Sequence, residues 1–453
     1  MKQVYQTSRS ERFTYGLYFV GQLFVYTLIS FVQIFFTDIG IPAAIVGMIF
    51  MVAKVWDAVN DPLFGIIVDR SHPKKGKFKP WIKLSSFLIP AATVFLFAIP
   101  QGVSTQIKTI WAVAGYLIWD TVYTMSDVPI YALSTAMTTD IPERNKLLYI
   151  AKLLGFIALI PVAIAVPLIY PTIGWFQTVL IVSICALPAM IPIGFIAKER
   201  ASTTSEETVS AKRLVTYLFK NKFLMIYVLV IIVMSLTGFS GTVRGYVALH
   251  CLGGSEWMSV LSLTYVFPLI LGPFIYPLLN KLMDRGRLFG ITGLSLSAFG
   301  IAQYFVGYSN IAGFLILDVI KGIGTGIIAV GLTMSIADCV VYGTFKTGER
   351  AEAVTFSIQT FSAKIQSALS GAIGMLVLGA IGFIEGQGVI QSQSVIDSLF
   401  FMYCISGVFS SVPAFILWLV MFKLKDKDVD IMAKCNNGEL GREEAEAALS
   451  RKY

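Results

Sequence analysis

MVAKVWDAVNDPLFGIIVDR, residues 51–70, sets two carboxylates, Asp57 and Asp61, four positions apart in a run that is otherwise largely apolar. With the apolar residues on either side, the run is long enough to cross a bilayer, whose hydrocarbon core of about 30 Å takes about 20 residues of helix. Residues four apart share a helical face, so both acids are expected inside the membrane and on one side of the helix. A charged group there costs about 2.5–3.5 kcal/mol on insertion scales, and two neighbouring anions repel each other. A cation or a proton held between them relieves both penalties, with the amide of Asn60 beside them as a further oxygen ligand. The stretch therefore reads as an ion site in a transport protein. A local alternative is a salt bridge between Asp57 and Lys54, which leaves Asp61 without a role.

The rest of the chain agrees with a membrane setting. Of its 453 residues 56% are hydrophobic and 14% charged, with mean hydropathy +0.75, against roughly 25% charged in a soluble domain. Twelve apolar segments of spanning length follow one another, at 13–36, 43–68, 80–99, 107–136, 147–170, 176–197, 222–250, 257–282, 288–307, 311–340, 352–382 and 397–422. The expected fold class is all-α and polytopic. The longest polar interruption, AKERASTTSEETVSAKRLVTYLFKNK at 197–222, divides the spans six and six. The expected organisation is an N-terminal bundle at 1–197, a central loop at 198–221, a C-terminal bundle at 222–425 and a tail at 426–453. Asp69-Arg70 after the second span and Asp284-Arg285 after the eighth form a weak internal echo, as do Glu143-Arg144 and Glu349-Arg350. Two pseudo-symmetric six-helix halves with a midplane site are the arrangement of major facilitator transporters.

Lys and Arg placement gives an orientation. The loop DRSHPKKGKFKPW is dense in Lys, and basic residues recur near Arg144, Lys212, Arg285 and Arg350, whereas the alternate loops offer only Lys108. Positive residues in short loops stay cytoplasmic, so both termini are expected inside, in the cytoplasmic membrane of a cell. The net charge of +8 reflects this asymmetry and contact with an anionic leaflet, not nucleic-acid binding. Cys185, Cys251, Cys339, Cys404 and Cys435 show no CxxC spacing, and the expectation is free thiols with no metal and no cofactor beyond a coupling ion. The start MKQVYQTSRSERF lacks a small-residue cleavage site, so the first span is expected to be retained. The polar tail is expected to hold a short helix after Gly441 and no transport chemistry.

Further charges lie within the spans. YLIWDTVYTMSDVPIYAL, residues 116–133, carries Asp120, Thr124 and Asp127 at spacings of four and three, a second polar stripe on one face. Thr124 can complete an oxygen ligand set with Asp57 and Asp61, and oxygen ligation suits a hard monovalent cation or a proton. Asp127, acceptor-only when ionised, suits the hydroxyl hydrogens of a sugar. Tyr131, one turn further on, offers a ring to a sugar face. Asp120 is an additional acid on the stripe. Embedded cations answer from elsewhere: Lys152, Arg244 and Lys364. Asp318 and Lys321, three apart, read as a local ion pair.

AKVWDAVNDPLFGIIVDR followed by GKFKPW, then YTMSDVPIYAL, IADCVVYGTFK and SIQTFSAK, resembles the glycoside–pentoside–hexuronide:cation symporters of the major facilitator superfamily, the melibiose permease group. The likeness runs through essentially all spans in order. It implies that Asp57, Asn60, Asp61 and Thr124 hold Na+ or a proton, and that Asp127, Tyr131 and Lys152 contact a sugar. It also implies that Gln359, Thr360 and Lys364 line the cavity from the C-terminal half. The chain departs from the pattern at Gln22 and Leu23, where a Lys-Asp pair is expected, at Ala329, where a Trp is expected, and at Asp120, where a Gly is usual. Arg244 has no recognised counterpart.

The expected activity is cation-coupled symport of a sugar or glycoside by alternating access, with Asp69, Arg70, Asp284 and Arg285 as gating residues and the protein acting as a monomer in the bilayer. Arg244 suggests an anionic, uronide-type sugar as an alternative, since guanidinium binds carboxylate bidentately. A lysolipid transporter of the same fold is a further alternative. An enzyme would show acids or His in a sizeable extramembrane loop, and the chain has only His72 and His250; a sugar sensor that moves nothing is the remaining class.

Overall fold

The computed structural model describes residues 6–71, 76–200, 211–348, 351–451 and 453. The regular elements of the described residues are all helices, with no strand among them. The first eight helices are α1 (Arg9–Ile29), α2 (Val32–Asp38), α3 (Ala43–Arg70), α4 (Lys79–Phe97), α5 (Thr105–Met137), α6 (Ile141–Ile173), α7 (Trp175–Met190) and α8 (Ile193–Ile196). Then come α9 (Ala211–Lys220), α10 (Lys222–Ser235), α11 (Ser240–His250), α12 (Glu256–Asn280), α13 (Arg285–Val306) and α14 (Ile311–Thr347). The chain closes with α15 (Glu352–Ala380), α16 (Gln393–Cys404), α17 (Ser406–Met421), α18 (Asp426–Asn436) and α19 (Arg442–Ala448).

Eleven helical segments among the described residues are long and apolar enough to cross a membrane. Helix α5, 33 residues long, is not among them, although at 1.5 Å per residue it is ample for the crossing. It carries the polar stripe of Asp120, Thr124 and Asp127, which dilutes its hydropathy. The protein is an all-α, multi-pass membrane protein. Large apolar side chains such as Phe274, Phe305 and Leu282 stand 73%, 82% and 76% exposed, as befits faces solvated by lipid rather than water.

Contacts divide the chain into two compact units. Unit 1 comprises residues 1–206, 253–260 and 375–391, and unit 2 the remainder. In unit 1, α1 packs on α6 and α7, while α4 packs on α5 and α7 and α3 lies along α5. Tyr15, Tyr18, Val25, Ile82, Ile89 and Met190 are fully buried between them. Helix α1 opens with a reciprocal capping box. Glu11 N donates to Ser8 Oγ (3.2 Å) and Ser8 N to Glu11 Oε2 (2.8 Å), satisfying donors that a helix start leaves without partners. Arg200 clamps the same Glu11 through two guanidinium bonds of 2.9 and 2.8 Å. That clamp holds the Arg200 guanidinium above its ordinary range, chiefly through the hydrogen bond to Glu11. The turn between α2 and α3 is held by the loop after α15. Glu385 Oε1 accepts from Ala43 N (2.8 Å), at the positive end of α3, and Gly386 N and Gln387 N donate to the carbonyls of Thr37 and Asp38.

In unit 2, α13 packs on α14 and α17, and α10 on α17. Phe289, Phe415 and Trp418 form the core there. Backbones approach closely where side chains are absent: a Cβ on Gly326 of α14 would run into the carbonyl of Leu269 on α12, the small-residue contact common between membrane helices. Helix α14 ends at Gly348, whose φ of +71° is a left-handed cap that glycine adopts without strain. The span expected at 222–250 is broken between α10 and α11, and α11 carries Arg244. The tail folds back onto unit 2. Helix α18 packs on α14, and the expected short helix after Gly441 is present as α19. Asp428 accepts from Ser450 N (2.9 Å), Ser450 Oγ (2.5 Å) and Tyr453 OH (2.6 Å).

Candidate functional site

The stripe on α3 faces α5. Asn60 Nδ2 donates to Thr124 Oγ1 (2.9 Å), and Thr124 Oγ1 donates in turn to Asp61 Oδ1 (2.9 Å). One relay thus joins three of the four residues expected to hold the coupling ion. Asn60 and Thr124 are buried, and Asp57 and Asp61 are half-buried. A second bond, Trp56 Nε1 to Thr121 Oγ1 (2.9 Å), ties the same two helices one turn away. Asp57 lies 3.6 Å from Lys54 Nζ. The local salt bridge weighed from the sequence therefore exists, at the rim of the relay and without engaging Asp61. A carboxylate, a hydroxyl and an amide brought together here form an oxygen-rich set suited to a hard monovalent cation or a proton.

Asp127 sits one turn beyond Thr124 on α5. Its Oδ1 accepts from Gln22 Nε2 (3.2 Å), and Gln22 also reaches Ser126 Oγ (3.4 Å). Sequence reading saw at Gln22 only the loss of a charged pair. The structure adds that Gln22, 1% exposed on α1, donates to the acid one would assign to substrate. Pro129, two positions on, lacks the N–H that would bond the carbonyl of Met125, so the α5 backbone next to Asp127 is locally relaxed. Tyr131 is 40% exposed; Phe19 packs edge-on to it at 5.5 Å, and Lys152 Nζ lies 5.9 Å from its ring centre. Tyr26, Trp119 and Tyr123 make a continuous aromatic wall nearby, with Trp119 and Tyr123 stacked at 5.0 Å. Asp120 is buried one turn before Thr124. A carboxylate, a cation and exposed aromatic faces are what a sugar's hydroxyls and C–H faces call for.

The remaining predicted substrate residues belong to unit 2. On α15, Gln359 and Lys364 are half-buried, and Thr360 is exposed with its hydroxyl donating to Phe356 O (3.1 Å). Arg244 Nη1 donates to Leu261 O (2.8 Å) and lies 3.7 Å from Asp318 Oδ2. This corrects the local pair expected from the spacing of Asp318 and Lys321. Asp318, fully buried, is taken by Arg244, Thr264 (2.9 Å) and Tyr403 (2.5 Å), while Lys321 donates to Gln303 Oε1 (2.8 Å). Helical spacing lists neighbours on one element and is blind to partners on another.

Of the gating residues, the side chains of Asp69 and Arg70 lie outside the described residues, as do Glu349, Arg350 and His72. Asp284 is the N-cap residue of α13 and forms no side-chain cap. Arg285 is held within unit 2 by Asp338 and Asp426, each at 3.0 Å. The second of these comes from the tail, a tie the sequence did not suggest. All five cysteines are free.

Residues 14–426 match the family model described as MFS/sugar transport protein. The chain belongs to this family. The membership bears out the resemblance carried by the WDAVNDP and GKFKPW motifs, and it makes the protein a transporter rather than an enzyme. The chain is 30% identical to the "Uncharacterized symporter YjmB" of Bacillus subtilis (strain 168) over 434 residues, covering 92% of this chain and 91% of that protein. It is 29% identical to the "Isoprimeverose transporter" of Lactiplantibacillus pentosus over 414 residues, 86% and 84% of the two. Among solved structures, the nucleoside transporter NupG superposes with a TM-score of 0.63 at 14% identity, covering 92% of this chain and all of that one. That likeness shows the fold.

Proposed function

We propose that this family member is a cation-coupled sugar symporter whose coupling site is the Asn60–Thr124–Asp61 relay with Asp57, and whose sugar site is built on Asp127, Tyr131 and Lys152. The observation that carries the reading is the relay itself: a carboxylate inside a membrane span, wired through a buried hydroxyl to the buried amide of the residue just before it on its own helix. Such an arrangement costs free energy in an apolar setting, and a bound Na+ or proton lowers that cost. Because Thr124 and Asp127 lie three residues apart on α5, ion binding at one end of the stripe is felt at the other. Coupling of this kind is reciprocal: each ligand changes the other's affinity by the same factor.

A relative named as a symporter supports coupled transport, and one named as a transporter of isoprimeverose supports this class of cargo. Gln359, Thr360 and Lys364 belong to the same proposal as further sugar contacts, as do cytoplasmic termini, a bacterial inner-membrane location and a monomeric working unit. Alternating access, with Asp284 and Arg285 among the groups that exchange partners, moves the cargo.

The test is a screen of labelled neutral and acidic glycosides in proteoliposomes, with and without an inward Na+ gradient and, separately, a proton gradient. At least one sugar should exchange across the bilayer, and one gradient should drive its accumulation. Absence of exchange for every neutral and acidic glycoside would overturn the reading.

A further inference from the structure

Unit 2 holds a half-open cavity of about 320 Å³, large enough for a small ligand, and its lining contains none of the α3–α5 relay residues of unit 1. Arg244 and Lys321 both line it, together with Tyr265, Tyr403, Ser240 and Thr325. Among the described residues lining it there is no carboxylate. Asp318 is not among the lining residues; it is fully buried and engaged by Arg244, Thr264 and Tyr403. One acid thus answers two cations, and the surplus positive charge rests at Lys321, which donates to the neutral amide oxygen of Gln303.

The two cations are held in place. Arg244 stacks its guanidinium 4.0 Å over the Tyr265 ring, and Lys321 Nζ lies 4.9 Å from the Tyr403 ring centre. Aromatic faces stabilise a cation without neutralising it. Arg244 uses Nη1 for Leu261 O and for Asp318, and a guanidinium carries five N–H donors, so capacity remains toward the cavity. A net charge inside a membrane bundle is costly unless a counter-charge joins it.

We propose that this cavity is an anion site that takes one monovalent anionic group, a carboxylate or an inorganic halide, between Lys321 and Arg244. The group has two sources, a free anion or the acidic substituent of a transported sugar, and only the second rests on the transport reading above. In either case Lys321 supplies the charge, and Arg244, already matched by Asp318, supplies orientation.

The test uses the purified full-length protein in detergent, with sodium chloride or sodium glucuronate replacing sodium HEPES at constant Na+. Binding to the folded state raises the melting temperature, and a saturable rise of about 3 °C is expected with at least one of the two salts. A rise with chloride identifies a free inorganic anion; a rise with glucuronate alone identifies the carboxylate of a sugar. Lys321→Gln should abolish the rise and Lys321→Arg should retain it. The rise should also persist in Asp61→Asn, which separates this site from the cation relay. No saturable rise in the wild-type protein with either salt, or an undiminished rise in Lys321→Gln, would overturn the proposal.

Discussion

Asp61, Thr124 and Gln22 show what can and cannot be read one residue at a time. Asp57 and Asp61 were legible because a carboxylate in an apolar run is rare and its spacing fixes its face. Thr124 was legible for the same reason on α5. Gln22 was not, because an amide on α1 carries no signal of the acid it meets 105 positions later. Its role yields a prediction. Gln22→Leu removes a donor from Asp127, and hydrogen bonds to charged groups are worth about 1.5–3 kcal/mol. If Asp127 binds sugar, apparent sugar affinity should fall about tenfold, while the concentration of cation giving half-maximal activation stays unchanged. Binding isotherms for the two ligands check this, and equal affinity in variant and wild type would remove Gln22 from the site. Arg244 makes the opposite point. Its presence was visible in the sequence and its chemistry plausible, but its partner Asp318 lies 74 positions away on another helix, so the pairing with Lys321 inferred from spacing gave way.

Helix boundaries were read well where apolar length decides them and less well where a backbone break does. The expected spans at 43–68 and 311–340 appear as α3 and α14. The one expected at 222–250 divides into α10 and α11 around Gly238, where a Cβ would press on the carbonyl of Met234. The tail, assigned no chemistry, turns out to be an ordered strap: Asp426 reaches Arg285, and Asn436 Nδ2 donates to Val341 O (2.9 Å). Asp428 anchors it. Burial opposes the ionised form of Asp428, but hydrogen bonds from Ser450 and Tyr453 outweigh burial and hold its carboxyl below the ordinary 3.8. A depressed folded value contributes stability that is complete above about pH 3.8 and is lost as the pH falls through the lower folded value. Asp428→Asn should therefore melt about 3 °C lower than wild type at pH 6, and the gap should narrow as the pH falls below 3.8. Thermal melts across that range check it; a constant gap would show that Asp428 acts through packing instead of charge.

At the scale of the whole molecule, the class of protein followed from composition and span count, and the family from motifs on α3, α5, α14 and α15. Two compact units, each with its own charged interior, carry different chemistry. Unit 1 presents acids and oxygens, whereas the cavity of unit 2 presents cations and aromatic rings. The sequence disclosed the first because its acids recur on one helix face, and concealed the second because Arg244, Lys321 and Tyr403 come together only through folding. Neutralising Asp61 removes a ligand of the coupling ion but leaves Asp127, Tyr131 and Lys152 in place, so it should uncouple the gradient without closing the sugar path. The decisive measurement compares gradient-driven accumulation and counterflow of the same labelled sugar in proteoliposomes carrying Asp61→Asn. Accumulation should be lost while counterflow continues; accumulation equal to wild type would contradict the assignment of the coupling ion to the α3–α5 relay.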